Sequence, residues 1–157
     1  MSDCLRDNYG NPSTLYSIGD TARLLVSDAR DAIAKTLGCL PDEIYFTSGG
    51  SESDNWVIKG IADAYRYKGR HIITTSIEHK AILKSCNWLE KHGFEVSYIE
   101  PDDRGYIKPE SVESLIRDDT ILVSVMMANN EIGTIEPIGI IGEICEEHGV
   151  LFHTDAV

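Results

Sequence analysis

A turn rich in serine and glycine, residues 48–53 (SGGSES), stands where a predicted strand gives way to a predicted helix. Free backbone N–H groups, the Ser51 hydroxyl and the positive end of the helix could converge there on an anion, and a phosphate group would fit. The turn has neither the G-x-G-x-x-G nor the P-loop pattern, so a nucleotide does not follow from it. The alternative is that Ser51 only caps the helix and that the glycines only permit the turn.

Further polar side chains follow other predicted strands. His79 stands at the start of a helix, where its imidazole could stack on a flat ring or transfer a proton, or could simply cap the helix or pack against it. Asn130, which follows Asn129, could hydrogen-bond a ligand or only the turn that contains it. Asp155 ends an apolar run, where an ionised carboxylate needs a positive or hydrogen-donating partner, such as a protonated ring nitrogen.

The elements that must position these residues follow from hydrophobic periodicity. Helical spacing is found over 15–37, after the turn at 48–53, and over 80–92, 109–117 and 137–148, with Gly38, Gly93 and Gly149 as helix stops. Short β-rich or apolar runs at 43–47, 71–75, 94–99, 120–126 and 150–153 predict strands. The run at 120–126 is almost continuously apolar, which is typical of a central strand covered on both faces.

This alternation predicts an α/β fold with a three-layer, doubly wound and mainly parallel sheet. Ligands of such folds bind at the carboxyl ends of the strands, where the turn at 48–53, His79, Asn130 and Asp155 all fall. Together they would offer a phosphate cradle, a stacking ring, an amide and a carboxylate for a pyridine nitrogen. These are the non-covalent requirements of pyridoxal 5'-phosphate.

Charge and hydropathy narrow the classes of partner. The chain has 14 basic and 26 acidic residues and a formal net charge of −12. A field of that sign repels the phosphates of nucleic acids and anionic lipids, so we expect no nucleic-acid or membrane partner. A short basic cluster within residues 66–71 is interpreted as the solvated end of a helix and its turn. No apolar run approaches the roughly 18 residues that span a bilayer, and we predict a cytoplasmic protein.

The cysteines indicate a reducing compartment. They form no C-x-x-C pair, and Cys86 and Cys145 occupy apolar positions of predicted helices, so buried free thiols are the simplest interpretation. Cys145 and His148 lack further ligands nearby, and no metal site is predicted.

A series of motifs then points to a family. In chain order they are residues 9–14 (YGNPST), 46–53 (FTSGGSES), 77–79 (IEH), 118–124 (DDTILVS), 129–133 (NNEIG) and 152–156 (FHTDA). They resemble the motifs of cysteine desulfurases of the NifS and IscS type, a group within the class V aminotransferase family of pyridoxal-phosphate-dependent, fold type I enzymes.

The resemblance implies a role for each candidate residue. Gly50 and Ser51 would hold the phosphate of pyridoxal 5'-phosphate, and His79 would stack over the ring and could transfer a proton. Asn130 would lie near the phenolic oxygen of the ring, and Asp155 would pair with the pyridine nitrogen. Family members usually have threonine where this chain has Ser51, a change that retains the hydroxyl.

The resemblance also implies a reaction and partners. Such enzymes are homodimers that convert L-cysteine to L-alanine, keep the sulfur as an enzyme-bound persulfide, and pass it to a sulfur acceptor or to a scaffold for iron–sulfur clusters. The match covers less than half of a typical member, so residues 1–157 are interpreted as the incomplete front part of the cofactor-binding large domain. No lysine or cysteine here matches the cofactor-binding lysine or the sulfur-accepting cysteine, and we expect the chain alone to be inactive.

Other functions stay open at this point. A selenocysteine lyase or another class V relative would share these motifs. From a different class, a domain that binds a phosphate ligand or a protein without catalysis would keep the same sheet.

Overall fold

The computed structural model describes residues 2–157, which form one compact unit that ends at Phe46 and a second from Thr47 to Val157. In the first unit, helix α1 spans Ser2–Asp7 and helix α2 spans Ser17–Leu37. Helix α2 ends at Gly38, whose φ of 72° is left-handed and whose N–H donates to the Ala34 carbonyl, as expected of a glycine stop. The predicted helix at 15–37 is therefore confirmed, although it begins at Ser17, and α1 was not predicted.

The predicted strand at 43–47 is wrong. Pro41 opens a short 3₁₀ helix over Pro41–Glu43, and the N–H of Ile44 donates to the Pro41 carbonyl at 3.1 Å. This local bond uses a backbone group that a strand ladder would need. A β-rich run becomes a strand only in a suitable tertiary setting, and here the local turn prevails.

The second unit alternates helices and strands, as the periodicity predicts. In chain order it contains α3 (Gly50–Tyr65), β1 (His71–Thr75), α4 (Lys80–Glu90), β2 (Glu95–Ile99), α5 (Pro109–Glu113), β3 (Thr120–Ser124), α6 (Ile138–Glu147) and β4 (Leu151–His153). The strand at 71–75 has its predicted ends. The helix predicted over 109–117 stops early at Glu113, and the strand predicted over 120–126 stops at Ser124.

The four strands form one parallel sheet in the order β2-β1-β3-β4. Helices α3 and α4 contribute to an apolar cluster on one face with Ile72 and Leu122, while α5 and α6 contribute to a cluster on the other face with Ile73 and Val123. Successive strand residues point to opposite faces, so both strands are buried on both sides. The three-layer parallel α/β prediction and the central position of β3 are confirmed.

Chain order reverses between β1 and β3, because β2 follows β1 on one side and β3 then pairs with β1 on the other. Parallel sheets leave a crevice outside the carboxyl ends of the strands at such a point. The fold therefore provides a ligand-sized recess where the sequence predicts one.

Two smaller predictions have different outcomes. Cys86 and Cys145 are buried free thiols, as predicted. The interpretation of 66–71 as solvated is wrong for His71, which is buried in β1 with its ring nitrogens 2.8 Å from the hydroxyls of Thr120 and Ser97. Within residues 2–157, no helix combines the length and the apolar character that a bilayer crossing requires. That part of the chain also holds no cluster of three or more His, Cys, Asp or Glu residues arranged for a metal ion.

The core can be tested with neighbouring isoleucines of α6. Ile141 is 0% exposed and Ile140 is 53% exposed. We expect Ile141→Ala to lower the free energy of unfolding by about 2–5 kcal/mol, because it leaves a cavity in the core cluster. Ile140→Ala, the matched control, should cost less than about 1 kcal/mol. Urea denaturation of both variants measures the difference, and equal losses would show that α6 does not pack on the sheet as described.

Candidate ligand site at the carboxyl ends of the strands

A cavity of about 270 Å³ lies in the second unit and is lined by residues that follow β1, β3 and β4 and by the start of α3. It brings together all the residues singled out from the sequence, namely Gly50, Ser51, His79, Asn130 and Asp155. Asp54, Met126, Ala128 and Val157 complete the lining. The predicted convergence of these residues is therefore observed, while their roles toward a ligand stay predictions.

The amino terminus of α3 forms the first wall. Gly49 occupies the N-cap position and no side chain caps the helix, so the alternative in which Ser51 is the cap is wrong. Among residues 2–157, no acceptor takes the N–H of Gly50 or of Ser51. The Glu52 carboxylate instead folds back and accepts from the N–H and hydroxyl of Ser48, both at 2.6 Å, and these bonds lower its pKa. The first N–H groups of the helix are thus left for an external anion.

His79 forms the rim of the cavity. Its Nδ1 accepts a hydrogen bond from the N–H of Ala81 at 3.2 Å, so the histidine caps α4, as one of the alternatives predicted. The cap does not compete with a role at the cavity, because it fixes the ring at the helix start and leaves Nε2 for another partner.

The paired asparagines divide the possible roles between them. The Asn129 side chain is buried and holds the turn: Oδ1 accepts from the N–H groups of Glu131 and Ile132, and Nδ2 donates to the Ile77 carbonyl at 2.9 Å. Asn130 is exposed, lines the cavity and makes no hydrogen bond to any residue that the structure describes. The turn interpretation therefore applies to Asn129, and Asn130 is available to a ligand.

Asp155 forms another part of the lining. Its carbonyl accepts from the N–H of Met127 at 2.8 Å, which continues the pairing of β3 with β4 beyond the strand ends. Its carboxylate is partly exposed to the cavity and accepts only from the N–H of Val157, at 3.1 Å. Most of its lone pairs remain open to a donor in the cavity.

Asp54 and His153 line this region and were missed from the sequence. Asp54 is only 3% exposed, and its Oδ1 lies 3.8 Å from Nε2 of His153. Burial raises the pKa of Asp54 to about 6, and the nearby Asp155 carboxylate adds to the shift. Burial lowers the pKa of His153. The available signal was spacing, since Asp54 lies about one turn after Ser51 and His153 stands two residues before Asp155 in an extended segment.

Glu78 is a second buried carboxyl that the sequence did not single out. It is 5% exposed, and Oε1 accepts from the Thr75 hydroxyl and from the N–H of Met126, both at 2.8 Å, while Oε2 has no partner among the described residues. Burial raises the pKa of Glu78 to about 7. These bonds tie the segment that carries His79 to the loop that carries Asn130.

Known proteins are similar to this chain in sequence and in fold. The family model for aminotransferase class-V matches residues 1–157. The chain is 58% identical to the cysteine desulfurase IscS of Methanosarcina thermophila over all of its length and covers 39% of that protein. Among solved structures it is similar to a NifS-like protein, with a TM-score of 0.95, 44% identity and coverage of 99% of this chain and 43% of that one. SspA in complex with cysteine gives a TM-score of 0.94 and 44% identity over 98% of this chain and 44% of that one.

The buried Glu78 predicts a pH dependence of stability. Its pKa rises on folding, so its proton stabilises the fold at low pH, and this contribution is lost as the pH increases through about 7. We expect Glu78→Gln, which cannot ionise, to unfold like the parent near pH 4 and to be more stable at pH 8 by on the order of 1–3 kcal/mol. Urea denaturation at both pH values measures this difference. Glu110→Gln on the exposed surface of α5 is the control. If the free energy of unfolding of Glu78→Gln changed with pH in the same way as that of the parent, the prediction would be contradicted.

Proposed function

Because this chain belongs to the aminotransferase class-V family, we propose that it forms the cofactor-binding part of a pyridoxal-phosphate-dependent cysteine desulfurase. The observation that carries the proposal is the meeting of Gly50, Ser51, His79, Asn130 and Asp155 around one cavity. The proposed reaction of the whole protein takes L-cysteine and an enzyme thiol to L-alanine and an enzyme persulfide. The chain spans 39% of the length of the Methanosarcina thermophila relative, and we propose that residues 1–157 are the front part of the large domain of a longer enzyme.

The start of α3 suits the phosphate of the cofactor. The N–H groups of Gly50 and Ser51 have no acceptor among residues 2–157, the Ser51 hydroxyl stands beside them, and the helix dipole favours a negative charge there. The bonds from Ser48 to Glu52 hold the turn in this shape before any ligand arrives. Pre-organised donors of this kind bind an anion without a further ordering cost.

The part of the cavity lined by Asp155, His79 and Asn130 suits the pyridine ring. The Asp155 carboxylate can accept a hydrogen bond from a protonated ring nitrogen. The imidazole of His79, which caps α4, presents a flat ring to the cavity. Asn130 offers an amide to the phenolic oxygen. When bound, pyridoxal phosphate supplies an electron sink for charge that develops at the α-carbon of an amino acid. The protein's contribution is to keep the ring nitrogen protonated and the ring in place.

The proposal extends to substrate and partners. The similar SspA structure is a complex with cysteine, which supports L-cysteine as the substrate here. We propose a cytoplasmic homodimer that delivers sulfur to an acceptor or to an iron–sulfur scaffold protein. The 58% identity to an IscS protein supports the delivery of sulfur, and the free thiols of Cys86 and Cys145 in the core support a reducing compartment.

Ligand binding tests this site directly. The probe is 4'-deoxypyridoxine 5'-phosphate, which lacks the aldehyde and therefore cannot react with surface lysines. We expect it to bind the purified chain in isothermal titration calorimetry, with affinity reduced about tenfold by Ser51→Ala, which loses one hydrogen bond to a charged group. Asp155→Asn should weaken binding by a similar factor or more, because the carboxylate charge is lost.

The matched controls are Ser114→Ala and Asp63→Asn, which make the same chemical changes at exposed positions of the second unit. Both should bind like the parent. Alanine release from cysteine by this chain alone is not expected, because no lysine or cysteine of the sequence lies in the corresponding family motif. Binding that is unaffected by Ser51→Ala and Asp155→Asn would place the ligand elsewhere and contradict the proposal.

A further inference from the structure

Asp54, His153 and Ser124 form a line of polar groups beside the cavity. Nδ1 of His153 lies 2.9 Å from the Ser124 hydroxyl, and Nε2 lies 3.8 Å from Oδ1 of Asp54. If the serine hydroxyl donates to Nδ1, the imidazole carries its proton on Nε2, facing the carboxylate. The ring is thereby oriented from one side by serine and directed at Asp54 on the other.

Asp54 is more than a packing residue of α3. It is 3% exposed and lines the cavity, yet it accepts no hydrogen bond from any residue that the structure describes. Buried carboxylates that serve only the fold are normally hydrogen-bonded, because an unpaired one costs free energy. A buried carboxyl that lines a cavity and accepts no hydrogen bond is instead a site for a donor that arrives from outside.

The groups that face Asp54 define which donor would suit it. They are Asp155 and His153 from the β4 segment, His79 from the start of α4, and Glu78 from the segment before it. Asp155 raises the pKa of Asp54, so the two carboxylates repel each other across the cavity. A cation placed between them would relieve this repulsion, whereas a neutral or anionic ligand atom would not.

We propose that Asp54 is a second anionic group of the ligand cavity and that it acts with Asp155 to select a ligand with a positively charged nitrogen. In this arrangement His153 orients the Asp54 carboxylate. The identity of that nitrogen as the ring nitrogen of a phosphorylated pyridine rests on the proposed function. Asp54 and Asp155 then share one positive charge, and at pH values where Asp54 is protonated it gives up its proton to solvent as the ligand binds. Ser124 is a positioning residue that acts through His153.

The consequence is a pH dependence of binding that a structural aspartate would not produce. Below pH 6 the ligand must displace a proton from Asp54. As the pH is increased toward 6, the affinity for the ligand should therefore rise by up to about tenfold per pH unit, and above pH 6 it should level off. Asp54→Asn removes this rise while the titration of the ligand itself continues. The difference between the two profiles therefore isolates Asp54.

The test is calorimetric titration of 4'-deoxypyridoxine 5'-phosphate into the full chain from pH 5 to pH 8, with Asp54→Asn and the exposed Asp63→Asn of α3 as its control. Thermal melting confirms that each variant folds. His153→Gln is a second variant in case Asp54→Asn does not fold. The His153→Gln substitution removes the imidazole N–H that faces Asp54. It should therefore move the steep part of the curve of affinity against pH to higher pH.

Each outcome decides a different claim. A steep rise in the parent and in Asp63→Asn that is lost in Asp54→Asn, or moved in His153→Gln, supports the role of Asp54. Profiles of the same shape for the parent and for Asp54→Asn overturn that role while leaving the proposed function intact. Absence of binding to the parent chain at every pH overturns the proposed function and this inference with it.

Discussion

The candidate site depends on one row of hydrogen bonds across the parallel sheet. Thr74, Ser124 and His153 stand level with one another in β1, β3 and β4. The Thr74 hydroxyl donates to the Ser124 carbonyl at 3.0 Å, and the Ser124 hydroxyl is bonded to the His153 ring. A register slip in any strand would break this row and send the following loop elsewhere. The loops that carry the cavity residues leave just beyond it, so the row fixes where they meet.

Buried polar groups within the sheet and beside the cavity differ in how completely they are hydrogen-bonded. Within the sheet, buried His71 and Thr74 have hydrogen-bond partners, which is typical of groups that only stabilise a fold. Toward the cavity, Asp54 lacks a hydrogen bond and Glu78 has one unpartnered oxygen, and burial raises the pKa of both. Proteins retain such costly groups chiefly where a ligand or a reaction uses them.

Periodicity and strand ends predicted the sheet and its ligand edge, because buried strands such as β1 and β3 are apolar enough to stand out from their surroundings. The run at 43–47 is also rich in residues that favour strands, but it follows Pro41, which opens a local 3₁₀ turn that strand propensity does not take into account. Side chains at strand ends could be named from the sequence, whereas Asp54 could not. Its position on a helix looks like any solvated aspartate until the fold buries it against His153.

We propose that one small molecule bridges the start of α3 and the end of β4. A crystal structure of the chain with 4'-deoxypyridoxine 5'-phosphate tests it most directly. We expect the phosphate within hydrogen-bond distance of the N–H groups of Gly50 and Ser51, and the ring nitrogen against the Asp155 carboxylate. A phosphate bound away from the α3 terminus, or a ring nitrogen directed away from Asp155, would contradict it.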